Sequence, residues 1–226
     1  MVAPARPGSL PGVGLDEPND PAREVIDFVR QYDGGDCFAA LPAATPGGEA
    51  RVQTFGDNEA VQAAFRRALS GSTGISAEIH SGTVAGTQCL ALSFAREVDR
   101  YPEFSLAIDL DAAETASGAQ LSGTVRNAGD RFLHLLLIDD DGLVQNVDPY
   151  LAAAAGHARR FSAPVVLIDG PVATEQLLMA IASDRPIGLL QGPVRRPASS
   201  FFNALAAEIA AANADVDLAV EGFSVY

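Results

Sequence analysis

The pattern of apolar and polar positions changes along this chain, from helical spacing mixed with strand-like segments in the first half to short alternating strands in the second. Apolar residues across 22–29 recur at helical spacing behind Asp20 and Pro21, which favour the start of a helix. The same spacing returns across 58–69, and Gly71 follows as a stop signal. The pattern therefore predicts two amphipathic helices.

Strand-like segments lie beside these two helices. Residues 37–44 and 50–55 flank a Thr-Pro-Gly-Gly sequence, so we expect them to pair as a hairpin on which the second helix packs. Alternation across 75–80 predicts a half-buried strand, and Thr87 is expected to cap a short helix that carries Cys89. The predicted order of elements is α-β-β-α-β-α.

A central strand is the strongest signal in the second half. Residues 132–138 are apolar at odd and even positions, as in a strand buried on both faces, and Asp141 and Gly142 then turn the chain into a partner strand at 143–147. Short strands at regular spacing are typical of a β-sandwich. The other elements predicted here are strands at 106–110, 121–125, 161, 165–168, 177–182 and 216–225, and a helix opened by Pro197 with Ser199 or Ser200.

Together these elements predict an α+β fold in three parts. Residues 1–20 are rich in proline and glycine, lack the apolar segment of a signal peptide, and are expected to form a flexible linker. Residues 21–100 are expected to form a small α/β domain in which helices cover one face of a sheet. Residues 101–226 are expected to form a β-rich, sandwich-like domain with a C-terminal helix and strand.

Composition excludes several classes of partner and chemistry. The chain is 48% apolar and therefore globular, but no apolar run approaches the roughly 18 residues that a membrane helix needs, so no direct membrane insertion is expected. A net charge of -14 argues against nucleic acid or anionic lipid as a partner. All 15 cationic residues are arginine, which excludes phosphate-loop lysines, Schiff-base chemistry and Ser-Lys catalysis.

Cys37 and Cys89 are the only cysteines, too few for a structural zinc site without histidines near them. They are either two buried thiols or one disulfide, and we favour the disulfide. Such a bond would stabilise the chain by about 3 to 4 kcal/mol. It would also place the protein outside the cytosol, in a periplasmic or extracellular compartment.

A run of aspartates offers candidate metal ligands or a catalytic pair. Carboxylate oxygens suit calcium, but the ordered loop of a calcium-binding hand is missing, and an Asp-Gly pair between apolar strands is what a tight hairpin requires. Asp139 and Asp141 could also act as acid and base in a hydrolase, although we expect neither to have the raised pKa that an acid needs at an exposed turn. The aspartates and glycine concerned are Asp139, Asp140, Asp141 and Gly142, with Asp109 and Asp111 elsewhere in the chain.

The histidines and arginines are interpreted as structural. His80, His134 and His157 lie apart in sequence and no G-x-S-x-G motif accompanies them, whereas a catalytic histidine needs a nucleophile and an orienting carboxylate. We therefore expect no catalytic residue, no metal and no cofactor. Arginine forks suit carboxylates or phosphates, and in this acidic chain we expect them to form salt bridges with the surplus carboxylates. The arginines considered are Arg159, Arg160, Arg185, Arg195 and Arg196.

The second half of the chain carries a succession of motifs. They are the apolar strand 135–138, the turn Asp139-Asp-Asp-Gly142, the strand 143–149, Gly170-Pro171, Glu175 and Ala180-Ile-Ala-Ser183. With these motifs, residues 104–226 resemble a bacterial extracytoplasmic domain of unknown function (DUF4384-like), found in some serine/threonine kinases, caspase-like proteins and lipoproteins. The chain has Val147-Asp-Pro149 where such domains often carry Phe-Pro-Asn.

The first half resembles BON-like modules more weakly, through its α-β-β-α-β order. Neither resemblance brings catalytic residues. Together they imply a non-enzymatic extracytoplasmic sensory or protein-interaction module, the ectodomain of a membrane-anchored bacterial serine/threonine kinase or a related envelope protein, with an envelope protein or a small ligand as its partner. The alternatives are a structural envelope or secretion-system component, or a hydrolase acting on envelope peptides or glycans.

Overall fold

The computed structural model of the protein describes residues 21–44, 50–75, 77–153, 158–167 and 173–226. Within these ranges the chain forms four α-helices and three β-sheets. The helices are α1 (Pro21–Gln31), α2 (Glu59–Thr73), α3 (Cys89–Glu97) and α4 (Ala198–Ala212). Short 3-10 turns lie at Gly86–Gln88, Asp148–Tyr150 and Gly188–Leu190.

The strands are short in the first two sheets and longest in the third. They are β1 (Phe38–Ala44), β2 (Ala50–Gly56), β3 (Glu78–Thr83), β4 (Ala107–Leu110), β5 (Glu114–Thr115), β6 (Gln120–Arg126), β7 (Phe132–Ile138), β8 (Leu143–Asn146), β9 (Leu151–Ala153), β10 (Arg159–Pro164), β11 (Thr174–Ser183), β12 (Arg195–Pro197) and β13 (Val216–Val225).

Each sheet has its own connectivity. In the N-terminal sheet, β1 and β2 form an antiparallel hairpin and β3 joins β2 in parallel. The outer sheet has the antiparallel order β4-β6-β10-β9. The central sheet has the order β12-β8-β7-β11-β13-β5 and is antiparallel except for the β13–β5 pair.

The central sheet holds the core because both of its faces are covered. Leu135 and Leu137 of β7 pack against the outer sheet, in a cluster that includes Phe161. Leu136 and Ile138 of the same strand pack on the opposite side, in the cluster that holds the apolar residues of α3 and α4. This alternation explains why β7 is apolar at successive positions, since a strand covered on both faces has no solvent side.

The N-terminal sheet has a smaller core of its own. Val25 and Val29 of α1 and Phe65 of α2 pack on Phe38 and Val52, which lie on one face of the hairpin. The two helices therefore cover this face, and the other face is left to meet the rest of the molecule.

Phe55 joins the N-terminal sheet to the central sheet. Its side chain is fully buried and lies against Gly82 of β3 and Gly222 of β13. A Cβ added at Gly82 or Gly222 would approach the ring to 3.0 or 3.1 Å. Glycine at both positions therefore lets two sheets close on one ring.

The α+β fold with a sandwich-like arrangement is confirmed. The sandwich is formed by the outer and central sheets, which share the cluster around Phe161. The predicted hairpin, the helix behind Asn58, the Asp-Gly turn between two strands and the last strand at 216–225 are all present. The linker at 1–20 and the Thr-Pro-Gly-Gly turn lie outside the described residues.

Three details of the sequence prediction are wrong. Gly71 lies inside α2, which ends at Thr73 because Gly74 adopts the left-handed conformation with φ of 66°. Thr87 caps no helix: it lies within a 3-10 turn, and its hydroxyl donates to the carbonyl oxygen of Asp140. Residues 165–167 follow β10 outside any strand.

None of the helices in the described part of the chain is both long enough and apolar enough to cross a membrane.

Candidate functional site

The Asp-Asp-Asp-Gly sequence forms the turn between β7 and β8. The N–H of Gly142 donates to the carbonyl oxygen of Asp139 at 2.9 Å, and the Asp139 carboxylate accepts from the N–H of Leu143 at 2.7 Å. Gly142 has φ of 77°, a conformation that favours glycine. A Cβ at Gly142 would also lie 2.8 Å from the carbonyl oxygen of Thr87, so the turn rests against the segment before α3.

The other two aspartates of the predicted calcium set lie elsewhere. Asp109 pairs with Arg126, and Asp111 pairs with Arg160, both on the outer sheet. The six residues therefore do not converge.

A cleft opens at the turn end of the sandwich. We call it the sandwich cleft, and its volume is about 510 Å³. Cavities of roughly 300 to 1,000 Å³ with apolar walls and a few polar groups are typical of small-molecule sites. The cleft is lined by Leu137, Asp139, Asp140, Asp141, Gln145, Val147, Pro164, Val165, Val166, Leu167, Thr174, Gln176 and Arg195.

Strand register brings the polar groups of the cleft together. Leu137 pairs with Gln145, which pairs in turn with Arg195 of β12, so these three form a row across the central sheet. Asp139 follows Leu137 by two residues and therefore continues the same face into the turn. Leu177 pairs with Ile138, which brings the preceding Gln176 level with Asp139.

Burial and neighbouring charge change the acidity of Asp139. Burial raises the pKa of this carboxyl above its ordinary value, and the charges of Asp141 and Asp140 raise it further, against the lowering effect of the Leu143 N–H. The expectation that neither Asp139 nor Asp141 has a raised pKa is therefore wrong for Asp139. The reason is that the turn lies at the mouth of a cleft, so its first aspartate is partly buried.

His134 has an orienting carboxylate but lacks a nucleophile in hydrogen-bond reach within the described residues. Its Nδ1 lies 2.7 Å from the Asp148 carboxylate, which also accepts from the N–H of Leu135 at 2.6 Å and from the amide of Asn146 at 3.1 Å. The Nε2 atom is buried and has no described partner. The arrangement supplies two parts of a catalytic triad, without the third.

The other histidines are separate from this pair. His80 is on β3, half-exposed, with its Nε2 2.9 Å from the Glu78 carboxylate. His157 lies outside the described residues. The described histidines therefore form no common site.

The arginines divide into two groups. Arg160 pairs with Asp111, and Arg185 lies 3.4 Å from Asp184 and donates to the carbonyl oxygen of Ala212, as the salt-bridge interpretation expects. Arg159 donates to the carbonyl oxygen of Ala158 at 3.2 Å. Arg195 and Arg196 lie on β12 without a described carboxylate in ion-pair distance, and Arg195 supplies the positive charge of the sandwich cleft.

The Cys37–Cys89 disulfide prediction is confirmed. The bond joins the residue before β1 to the first residue of α3, with a sequence separation of 52. Next to it, the buried Gln88 donates from its amide nitrogen to the carbonyl oxygens of Ile138 and Glu175, both at 3.1 Å, and so ties α3 to the central sheet. A disulfide indicates an oxidising, non-cytoplasmic compartment.

Sequence reasoning named Asp139 and Arg195 but did not place them in one site. It missed Gln145, Thr174 and Gln176, which line the cleft from two different strands. Neither glutamine carried a usable signal in the sequence. Gln176 is the last of three polar residues before the apolar run of β11, and only the structure shows that it is 5% exposed.

Comparisons with protein-family models, with curated proteins and with solved structures find no match to this chain.

Proposed function

We propose that this chain is a non-enzymatic sensory module of the bacterial envelope, in the periplasm or outside the cell, and that it binds a small ligand in the sandwich cleft. The cleft is the observation that carries the proposal. It combines a volume of about 510 Å³ with an apolar floor, neutral amides and charges of both signs at its mouth. The proposal extends to a membrane-anchored serine/threonine kinase or related envelope protein as the parent molecule.

The lining of the cleft indicates the kind of ligand. Leu137, Val147 and Val165 belong to the buried cluster between the two sheets and offer an apolar surface. Asp139 and Arg195 stand at the rim and can bind a cationic or hydroxyl group and an anionic group respectively. A small molecule with an apolar body and a zwitterionic or polar head fits this lining.

The disulfide supports an envelope location, because disulfides form and persist in oxidising compartments such as the periplasm. The structural alternative, an envelope or secretion-system component, does not require a cleft of this kind. The hydrolase alternative has Asp139 and Asp141 as acid and base, and burial raises the pKa of the Asp139 carboxyl, as an acid requires. A hydrolase that used His134 instead would require a nucleophile, and the described residues place none within hydrogen-bond distance of its Nε2.

Blocking the cleft tests the proposal. Val166 is 62% exposed at the rim, so Val166→Trp would fill the mouth of the cleft without disturbing the core. Leu90→Trp is the matched control, because Leu90 is also an exposed apolar residue, 37% exposed, and does not line the cleft. The three proteins are screened by thermal shift against amino acids, amines, sugars and peptidoglycan fragments, and positive results are measured by calorimetry.

We expect at least one compound to stabilise the wild-type protein and Leu90→Trp but not Val166→Trp. A compound that stabilises all three proteins equally binds elsewhere and contradicts the assignment of the cleft. A screen in which no compound stabilises the wild-type protein counts against small-ligand sensing as a whole.

A further inference from the structure

The two edges of the N-terminal sheet differ in the hydrogen bonds that their backbone groups make. At the β1 edge, the N–H of Ala40 donates to the Tyr101 hydroxyl at 3.2 Å, and the carbonyl oxygen of Phe38 accepts from the Arg96 guanidinium at 3.4 Å. At the β3 edge, no described strand or loop makes backbone hydrogen bonds to the side away from β2. In the part of the chain that the structure describes, one edge is covered and the other is open to pairing.

The ladder with β2 shows which groups of β3 are available. In a parallel pair, alternate residues of a strand direct both backbone groups to the neighbour and the remaining residues direct theirs outward. The N–H of Val84 donates to the carbonyl oxygen of Gly56, so the even-numbered residues face β2. Ile79, Ser81 and Thr83 therefore direct their N–H and C=O groups to the outside of the sheet.

A groove follows this open edge. We call it the edge groove, and it has a volume of about 350 Å³ between α2 and β3. Leu69, Ala77 and Ile79 give it an apolar end, while Arg66 and Ser81 give it a polar end. The remaining lining residues are Ser70 and Ile75.

The charge of the polar end selects an anionic occupant. Arg66 is exposed, and its guanidinium donates to the Ser81 hydroxyl at 3.3 Å. No described carboxylate lies within ion-pair distance of Arg66, although the chain has a net charge of -14 and most of its other described arginines have such partners. An acidic side chain beside Ser81 would supply the missing partner.

We propose that the open edge of β3 and the edge groove bind an extended peptide, which adds to the N-terminal sheet as a fourth strand. Side chains of an added strand that share a face are two residues apart, a spacing of about 6.6 Å. Ile79 at the apolar end of the groove and Ser81 at its polar end are likewise two residues apart on β3. The peptide therefore carries an acidic and an apolar side chain separated by one residue. The edge groove is distinct from the sandwich cleft, so the failure of one proposal leaves the other standing.

Selection from a random library of displayed seven-residue peptides tests the proposal on the whole chain. We expect enrichment of peptides with an acidic and an apolar residue separated by one position. A selected peptide is then synthesised with a fluorescent label, in normal form and with N-methyl groups on alternate amides. Its affinity is measured by anisotropy for the wild-type protein, for Arg66→Glu and for Arg67→Glu. Arg67 is the matched control because it is exposed on α2 beside Arg66 but does not line the groove.

The expected result is at least a tenfold loss of affinity for Arg66→Glu, a change of less than twofold for Arg67→Glu, and no binding when the amides facing the strand are methylated. Circular dichroism checks that both variants are folded. The proposal is overturned if no peptide is enriched, or if Arg66→Glu binds the selected peptides as well as the wild-type protein. It is also overturned if sedimentation shows that a second copy of the chain occupies the edge.

Discussion

The two faces of the central sheet differ in how completely they are covered. On one face, Phe202 of α4 packs on Phe94 of α3 with ring centroids 5.2 Å apart, and a smaller cleft of about 380 Å³ lies between the two helices. On the other face, the outer sheet packs against Leu135, and the described residues leave the turn end near Leu137 open as the larger sandwich cleft.

The difference teaches where a binding site can arise on a buried sheet. The same strand, β7, sends alternate side chains to a layer of helices and to a layer of strands that stops short. Binding residues are often on loops that a scaffold of strands and helices positions. The sandwich cleft follows this rule, because it lies where the outer sheet ends beside the β7–β8 turn.

The largest expected effect is a contrast in stability between the two faces. Phe201 is fully buried against the helix face, so Phe201→Ala should lower the free energy of unfolding by about 3 to 5 kcal/mol. Val166→Ala at the rim of the cleft should change it by less than about 0.5 kcal/mol, because this side chain is 62% exposed. Urea unfolding followed by circular dichroism measures both. Equal losses for the two variants would mean that the cleft wall carries as much packing as the helices.

Removal of the disulfide, which joins the start of β1 to α3 on the helix face, should come next in size. The loop of 52 residues that it closes predicts a loss of about 4 kcal/mol on the chain-entropy estimate, and measured cases commonly give about 2 to 4 kcal/mol. The double variant Cys37→Ala with Cys89→Ala is compared with the wild-type protein in urea, with and without a phosphine reductant. The reductant should destabilise only the wild-type protein. A reductant effect of similar size on the variant would show that something other than the bond is responsible.

The smallest expected effect is a dependence on pH at the join between the N-terminal sheet and β13. Burial raises the pKa of the Glu221 carboxyl above its ordinary value of 4.5, and the amide of Gln53, which donates to it at 2.9 Å, only partly offsets this. The protonated form is therefore favoured in the folded state. Its stabilising contribution is complete below about pH 4.5 and is lost as the pH rises through the raised value.

Glu221→Gln imitates the protonated form at every pH. We expect the variant to be more stable than the wild-type protein at neutral pH and equally stable below pH 4.5, the ordinary pKa of this group. Parallel urea titrations at both pH values measure the difference.

Asp139→Asn at the cleft should also be more stable than the wild-type protein at neutral pH. The gain should be smaller than for Glu221→Gln, because the Asp139 carboxyl is less buried. A variant that is less stable at neutral pH than at acid pH, relative to the wild-type protein, would reverse the sign and contradict the assignment.

Much of the fold could be predicted from the sequence, because the burial of a helix or strand produces a regular spacing of apolar residues along the chain. The range of β13 and the apolar run of β7 could both be predicted, since each strand buries most of its residues. The end of α2 was not, because Gly71 and Gly74 are both plausible stops and only the backbone shows which one turns left-handed. Local signals fix an element more firmly than its ends.

The candidate site was predicted only in pieces. The Asp139 turn and Arg195 were both visible, but their meeting depends on the pairing of β12 with β8, which joins segments about 50 residues apart. The His134–Asp148 contact also depends on tertiary structure. The 3-10 turn after β8 places Asp148 beside β7. Such contacts arise from tertiary packing and leave no period in the sequence.

The bond between Cys37 and Cys89 also determines how the molecule would respond to mechanical tension. A pull on the two ends of the chain cannot extend the segment between these residues, which is 52 positions long and would otherwise contribute about 180 Å at roughly 3.5 Å per residue. The load passes instead across the sulfur atoms to α3, where the neighbouring Gln88 transmits it to β7 and β11. In a protein tethered to a membrane, force would thus reach the middle of the molecule before the first sheet could unravel.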